Sequence, residues 1–187
     1  MAIPRLRPET TAVLVVDVQD RLLPTIIDSA KVVNNCALLL RVARLLRMPG
    51  FVTEQYVKGL GRSAQEVTAA MPDPSWRVEK TQFSALVDLI DQSLLEGGRT
   101  QVLVAGLEAH ICVLQTVLDL QATGRQVFIC TDAISAGSRD QVAPALRRME
   151  AAGAVSTGVM EATYELMRDA RHPAFREALE LVKQITR

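Results

Sequence analysis

The sequence predicts an α/β fold: a three-layer sandwich in which a mostly parallel β-sheet is flanked by helices on both faces. Three observations carry this expectation. Short runs rich in Val, Leu and Ala recur along the chain without polar alternation, the pattern of strands buried on both faces. Longer segments between them repeat apolar residues at helical spacing. Strands and helices alternate throughout, an order that implies parallel strands joined by right-handed crossovers. The chain has 187 residues, 49% hydrophobic and 22% charged, enough for a sizeable core. No linker, repeat or low-complexity segment interrupts it, so residues 1–187 are read as a single domain.

The elements follow in order. Residues 12–16 form a Val-rich strand ending at Asp17. Asp28 or Ser29 can cap a long helix, whose apolar face holds Val32, Val33, Cys36, Leu39, Leu40, Ala43 and Leu46 before Pro49-Gly50 stops it. Residues 51–53 read as a second strand. Residues 54–74, rich in Gly, Pro and polar side chains, read as a long loop holding one short helix. A strand over 76–78 leads to Lys80, and Ser84 can cap a helix running to about residue 95. Residues 101–105 form a third clear strand, followed by Gly106 and a helix over 110–122. A strand over 126–130, a helix over 140–152 and a strand over 154–156 come next. Helices over 162–168 and 175–185 close the chain. In such sheets ligands bind beyond the carboxyl ends of the strands. Asp17, Lys80 and the segment 106–112 all lie at such ends, so the topology gathers them at one edge.

Composition narrows the function classes. Lys plus Arg and Asp plus Glu number 21 each, which gives no electrostatic case for a nucleic-acid or anionic-membrane partner. No apolar stretch approaches the length of a membrane span, and the N-terminal residues lack the apolar core of a signal peptide. A cytoplasmic protein acting on a small molecule is expected. The three cysteines, Cys36, Cys112 and Cys130, are widely spaced and include no CxxC, which argues against a disulfide scaffold and a structural zinc site. Gly59 and Gly61 make only a partial GxG, without the strand–helix context of a dinucleotide fingerprint.

Cys112 follows a strand and a turn at the expected start of a helix, where free N–H groups and the helix dipole favour negative charge. A thiol there is expected to have a lowered pKa, and the same N–H groups can hold an oxyanion. Position alone leaves a second reading open, that Cys112 is a small buried hydrophobe. Cys36 and Cys130 read as core. A cysteine nucleophile needs a base. Only His110 and His172 are available as histidines; His110 diverges from Cys112 on a helix, and His172 has no motif around it. Asp17 is the carboxylate alternative, either a base held ionised by a cation or a turn cap. Lys80 is either that cation or a solvated loop residue. Gln19 can bond substrate or only backbone; Glu54 and Gln55 can line a pocket or belong to a solvated loop. Asp132 reads as a structural cap.

The segments VLVVDVQDRLL, EKTQFSAL and VAGLEAHICVLQTVLDL, in this order and spacing, resemble the three signatures of the isochorismatase-like cysteine hydrolases. TEQYVKGLG and GLEAHICV resemble the branch of isochorismatase domain-containing proteins. The resemblance covers residues 13–154. It implies that Asp17 is the acid/base, Lys80 the triad lysine and Cys112 the nucleophile. It implies a cis peptide at Leu107–Glu108, which turns a backbone N–H towards substrate, and an oxyanion hole made of the Glu108 and Cys112 N–H groups. It also implies a homo-oligomer. Family members acting as nicotinamidases carry a histidine-containing metal motif where this chain reads TEQYVKGLG, so no metal and no cofactor is expected and nicotinamide is disfavoured. The implied activity is hydrolysis of a small amide or related acyl substrate through a thioester. A non-catalytic binding or regulatory module on the same fold is the alternative.

Overall fold

The computed structural model describes residues 3–184. Six parallel strands form one sheet in the order β3-β2-β1-β4-β5-β6: β1 Thr11–Val16, β2 Gly50–Gln55, β3 Arg77–Lys80, β4 Gln101–Gly106, β5 Gln126–Ile134 and β6 Val155–Thr157. The chain lays β2 and β3 on one side of β1 and β4 to β6 on the other. Its direction of winding therefore switches between β1 and β4, and the strand ends there open a crevice.

Side-chain alternation along the strands separates two cores. Val13 and Val15 of β1, Leu103 and Ala105 of β4, and Phe128 and Cys130 of β5 face the helices α1 Ser29–Leu45, α3 Gln65–Ala70 and α7 Val159–Met167. Ala12, Leu14 and Val16, with Val102 and Val104, face α4 Asp88–Glu96, α5 Leu114–Ala122 and α6 Arg139–Ala151. α8 Phe175–Val182 packs outside α1. These are the three layers expected, with every strand of the sheet parallel rather than most of them.

Several boundaries differ from the sequence expectation. The stretch 54–74 holds two short helices, α2 Val57–Leu60 and α3, besides a 3₁₀ turn at Pro74–Trp76. β5 runs four residues beyond 130, past the polar Thr131 and Asp132, because the bulge opposite Val104 and Gly106 lets Ile134 rejoin the ladder. Asp28 precedes α1 but its carboxylate makes no cap; it faces Arg139 at 3.6 Å. Ser84 caps no helix either: its hydroxyl accepts the Leu86 N–H (3.2 Å), and α4 begins only at Asp88. α7 starts at Val159, whose N–H donates to Asp132 Oδ1 at 2.9 Å, the capping role that the sequence predicts for Asp132. The last helix ends at Val182, and Lys183 and Gln184 form a turn where the sequence predicts continued helix; the expected end at Ile185 lies outside the described residues.

Candidate active site

Asp17 is the first residue after β1. Its backbone takes the left-handed conformation (φ 52°), one that short acidic side chains tolerate better than most. The turn points the carboxylate along the sheet's carboxyl edge, where it is 1% exposed. Two side chains hold it. Thr53 on β2 donates its hydroxyl to Oδ1 at 2.7 Å, and Lys80 at the end of β3 donates from Nζ to Oδ2 at 2.6 Å. The Lys80 side chain is fully covered. Its ammonium also meets Gln55 Oε1 (2.8 Å), Phe83 O (3.0 Å) and Gln82 O (3.2 Å). A buried ion pair is tolerable only when further hydrogen bonds replace the lost water, and here they come from two segments of chain, β2 through Thr53 and Gln55 and the stretch after β3 through Gln82 and Phe83.

Cys112 arrives from the other side of the switch point. β4 passes the end of β1 so closely that a Cβ on Gly106 would lie 2.0 Å from Val16 O; Gly106 also has φ 117°. Glycine is the residue that fits there. The Leu107–Glu108 peptide is cis. Cys112 then falls not in the first turn of α5, as the sequence predicts, but in a π-helical turn, Ala109–Val113, that precedes it. The wider turn is closed by the Val113 N–H donating to Glu108 O at 3.2 Å.

The expectation of a lowered thiol pKa at rest is corrected. Cys112 is 7% exposed, and its pKa is pushed up to about 12. Burial is the first cause; next come the Asp17 charge, partly offset by Lys80, then Asp17 as acceptor of the thiol proton, then Glu108. Desolvation and the adjacent carboxylate outweigh the amides of one turn. At rest the centre is therefore a thiol beside an ion pair. Cys36 and Cys130 are fully buried and their thiols are also pushed up, first by burial.

The other singled-out residues divide. Gln19 is fully buried, and its side chain is spent on backbone: Nε2 donates to Gln55 O (3.0 Å) and Gly61 O (2.7 Å), and Oε1 accepts the Gln55 N–H (2.7 Å). Gln55 holds Lys80 and donates to Thr81 O at 2.6 Å. Glu54 is buried beneath Arg62 (2.7 Å) and the Ser63 N–H (2.8 Å); burial works against ionisation, but these partners hold its carboxyl below its ordinary value. Leu107 is fully buried, and its N–H donates to Val16 O at 2.7 Å. Glu108 Oε2 accepts the Gly137 N–H at 2.8 Å. Thr53 and the Gln82 and Phe83 carbonyls were not singled out in the sequence. A hydroxyl in an apolar strand is a signal for Thr53; backbone acceptors leave none.

A cleft of about 530 Å³ lies beside β3, bounded by Tyr56, Val57, Thr81, Gln82 and Val87. Its lining includes Lys80 but neither Asp17 nor Cys112; with its side chain covered, Lys80 meets the cleft through its main chain. Among the described residues no three His, Cys, Asp or Glu side chains gather so as to hold a metal ion, and no helix is long and apolar enough to cross a membrane.

Residues 11–161 match the family model of the isochorismatase domain. The chain belongs to the isochorismatase family. Isochorismatase domain-containing protein 2 of Danio rerio is 35% identical over 179 residues, 95% of this chain and 89% of its own. Among solved structures, the MAR1 ribonuclease from Caenorhabditis elegans superposes with a TM-score of 0.93 at 32% identity, covering 96% of this chain and 93% of its own. The ycaC product of Escherichia coli, an octameric hydrolase of unknown specificity, superposes with a TM-score of 0.84 at 26% identity over 99% of each chain. This isochorismatase-family chain thus has the hydrolase fold that its three sequence signatures resemble.

Proposed function

We propose that the protein is a cysteine hydrolase acting on a small amide or related acyl substrate, with Asp17, Lys80 and Cys112 as its reacting centre. The observation that carries this reading is a buried thiol beside a carboxylate that is itself held by a buried ammonium. Asp17 takes the Cys112 proton as the sulfur attacks the carbonyl carbon. The oxyanion forms against the N–H groups of Glu108 and Cys112. Asp17 returns the proton to the departing nitrogen, the C–N bond breaks and a thioester remains. Water then attacks the thioester and gives a proton to Asp17. As the C–S bond breaks, Asp17 reprotonates the sulfur and the acid departs. Lys80 balances the charge as the proton moves. No metal or cofactor takes part in this scheme, and residues 1–187 act as one domain. Gln19 and Gln55 support the centre through the contacts they make with backbone and Lys80.

The reaction is tested by screening small amides for release of amine and acid. Cys112→Ala and Asp17→Asn are each expected to lower turnover by about 10²- to 10⁴-fold while thermal unfolding stays cooperative. Full activity in either variant overturns the mechanism. The C. elegans relative's name makes RNA cleavage a reaction to run in parallel. The balanced charge of this chain supports the small-molecule reading. The chain's assembly with copies of itself is part of the same proposal. Phe83, Leu89 and Leu95, before and on α4, are each more than half exposed, apolar side chains that a subunit contact would cover, and the E. coli relative is octameric. Light scattering reads the outcome; a monomer at micromolar concentration would count against it. Three free cysteines suit a reducing cytoplasm.

A further inference from the structure

Thr116 lies on α5, one turn beyond Cys112, and is fully buried. Its hydroxyl makes two short hydrogen bonds. It donates to the Cys112 carbonyl at 2.6 Å and accepts the Ala85 N–H at 2.8 Å. The first is the back-bond that threonines in helices commonly make. The second is not local: it reaches 31 residues away. Ala85 is also fully buried, so losing this contact leaves a buried N–H without a partner.

Ala85 belongs to the irregular stretch between β3 and α4. The Gln82 and Phe83 carbonyls of that stretch are two of the four acceptors around the Lys80 ammonium. The contacts therefore close on themselves. They run from the Cys112 carbonyl through the Thr116 hydroxyl to the Ala85 amide, along the chain to the Phe83 carbonyl, and on to Lys80 and Asp17, which faces the Cys112 thiol. Thr116 is the one side chain in this circuit that ties the turn carrying the sulfur to the loop carrying the ammonium's acceptors.

We propose that Thr116 is a positioning residue for the hydrolysis, its hydroxyl fixing the spacing between the Cys112 sulfur and the Lys80 ammonium. The inference rests on the reading of Asp17, Lys80 and Cys112 as the reacting groups. Of the charges acting on Cys112, Asp17 and Glu108 oppose the thiolate and Lys80 favours it. A loop that no longer holds Lys80 in register weakens the favourable one.

The test uses the full chain with Thr116→Val, which keeps the shape and removes the hydroxyl, and Thr116→Ser, which keeps the hydroxyl. Three readouts are taken: iodoacetamide labelling of Cys112 by mass spectrometry from about pH 7 to 10, kcat and KM on an amide substrate, and hydrogen exchange at the Ala85 amide. Thr116→Val is expected to move the labelling profile up by about one pH unit, which is about tenfold slower labelling at fixed pH. It is also expected to lower kcat about tenfold, with KM within about twofold because buried Thr116 does not meet substrate. Ala85 exchange is expected to accelerate, and Thr116→Ser to restore all three. A folded Thr116→Val protein with an unchanged profile and kcat overturns the proposal, as does failure of Thr116→Ser to restore them. The unaltered protein gives a check that needs no variant: fast exchange at Ala85 overturns it too. If Asp17→Asn leaves labelling and turnover of the otherwise unaltered protein unchanged, the hydrolase reading has failed. If that control behaves as expected and Thr116→Val is neutral, only the role of Thr116 has failed.

Discussion

Cys112 carries its proton at rest because burial and Asp17 together outweigh Lys80, and this makes Asp17 a group with two opposed effects. As a charge it keeps the thiol protonated. As a base it is the acceptor that lets the proton leave once a carbonyl is in reach. The two effects separate in Asp17→Asn. Removing the negative charge leaves Lys80 opposed only by the weaker effect of Glu108, so the thiol pKa falls. The variant is expected to be alkylated faster than the unaltered protein at about pH 8, below the ordinary thiol value, while turnover is lost. Lys80→Met acts the other way and slows labelling. Slower alkylation in Asp17→Asn would show that the carboxylate already draws the proton off the sulfur at rest, against the resting state described here. Thr53 is the quieter partner. Its hydroxyl donates at 2.7 Å to a carboxylate that is 1% exposed, and hydrogen bonds to buried charges contribute about 1.5–3 kcal/mol. Thr53→Val should lower stability by about that amount in urea unfolding, and a loss below about 0.5 kcal/mol would mean Asp17 finds another donor.

At the scale of elements, the centre exists because three strand ends meet. β1 delivers Asp17, β3 delivers Lys80, and β4 with the turn Ala109–Val113 delivers Cys112. Gly106 is where two of these deliveries cross. A methyl group there would press on Val16 O in a backbone conformation that disfavours side chains. Gly106→Ala is therefore expected to cost about 3 kcal/mol or more, read as a lowered urea midpoint, with Cys112 labelling altered alongside. An unchanged midpoint would mean that β4 can move away from β1. Much of this arrangement is legible in the sequence. The apolar runs before Asp17 and Gly106 mark strands, and strand–helix alternation puts their ends on one edge. The rest is not legible for physical reasons. The helix period cannot distinguish a π-turn from the first turn of α5, since both place Cys112 just after the strand. Ser84 has a capping residue's chemistry, but the chain around it is claimed by Lys80 through the carbonyls of Gln82 and Phe83 and by Thr116 through Ala85. Backbone groups carry no residue-specific mark. The raised thiol pKa is not legible because sequence shows a helix start and does not show the depth of burial or which charge lies nearest.

Over the whole molecule, the same burial that holds Cys112 as a thiol acts on all three cysteines, and the consequence is a pH dependence of folding. In the unfolded chain a thiol ionises near pH 8.5. In the folded protein Cys36, Cys112 and Cys130 keep their protons to higher pH, burial being the first cause in each. Above about pH 8.5 the unfolded state then binds fewer protons than the folded one, so stability falls as pH rises. Below that value both states are protonated and the thiols have no effect. Each buried thiol contributes a slope approaching about 1.4 kcal/mol per pH unit once its unfolded counterpart is ionised. Urea unfolding under reducing conditions between about pH 7 and 10 should therefore be flat at first and then steepen downwards. Cys36→Ala introduces a cavity that costs stability equally at every pH, so the slope and not the level is the diagnostic quantity. That variant should flatten the alkaline limb by roughly one thiol's share, and Cys112→Ala should do the same. If the limb keeps its full slope when Cys36 is removed, the alkaline loss belongs to other groups, and the thiol at the base of the proposed mechanism would need its protonation measured directly.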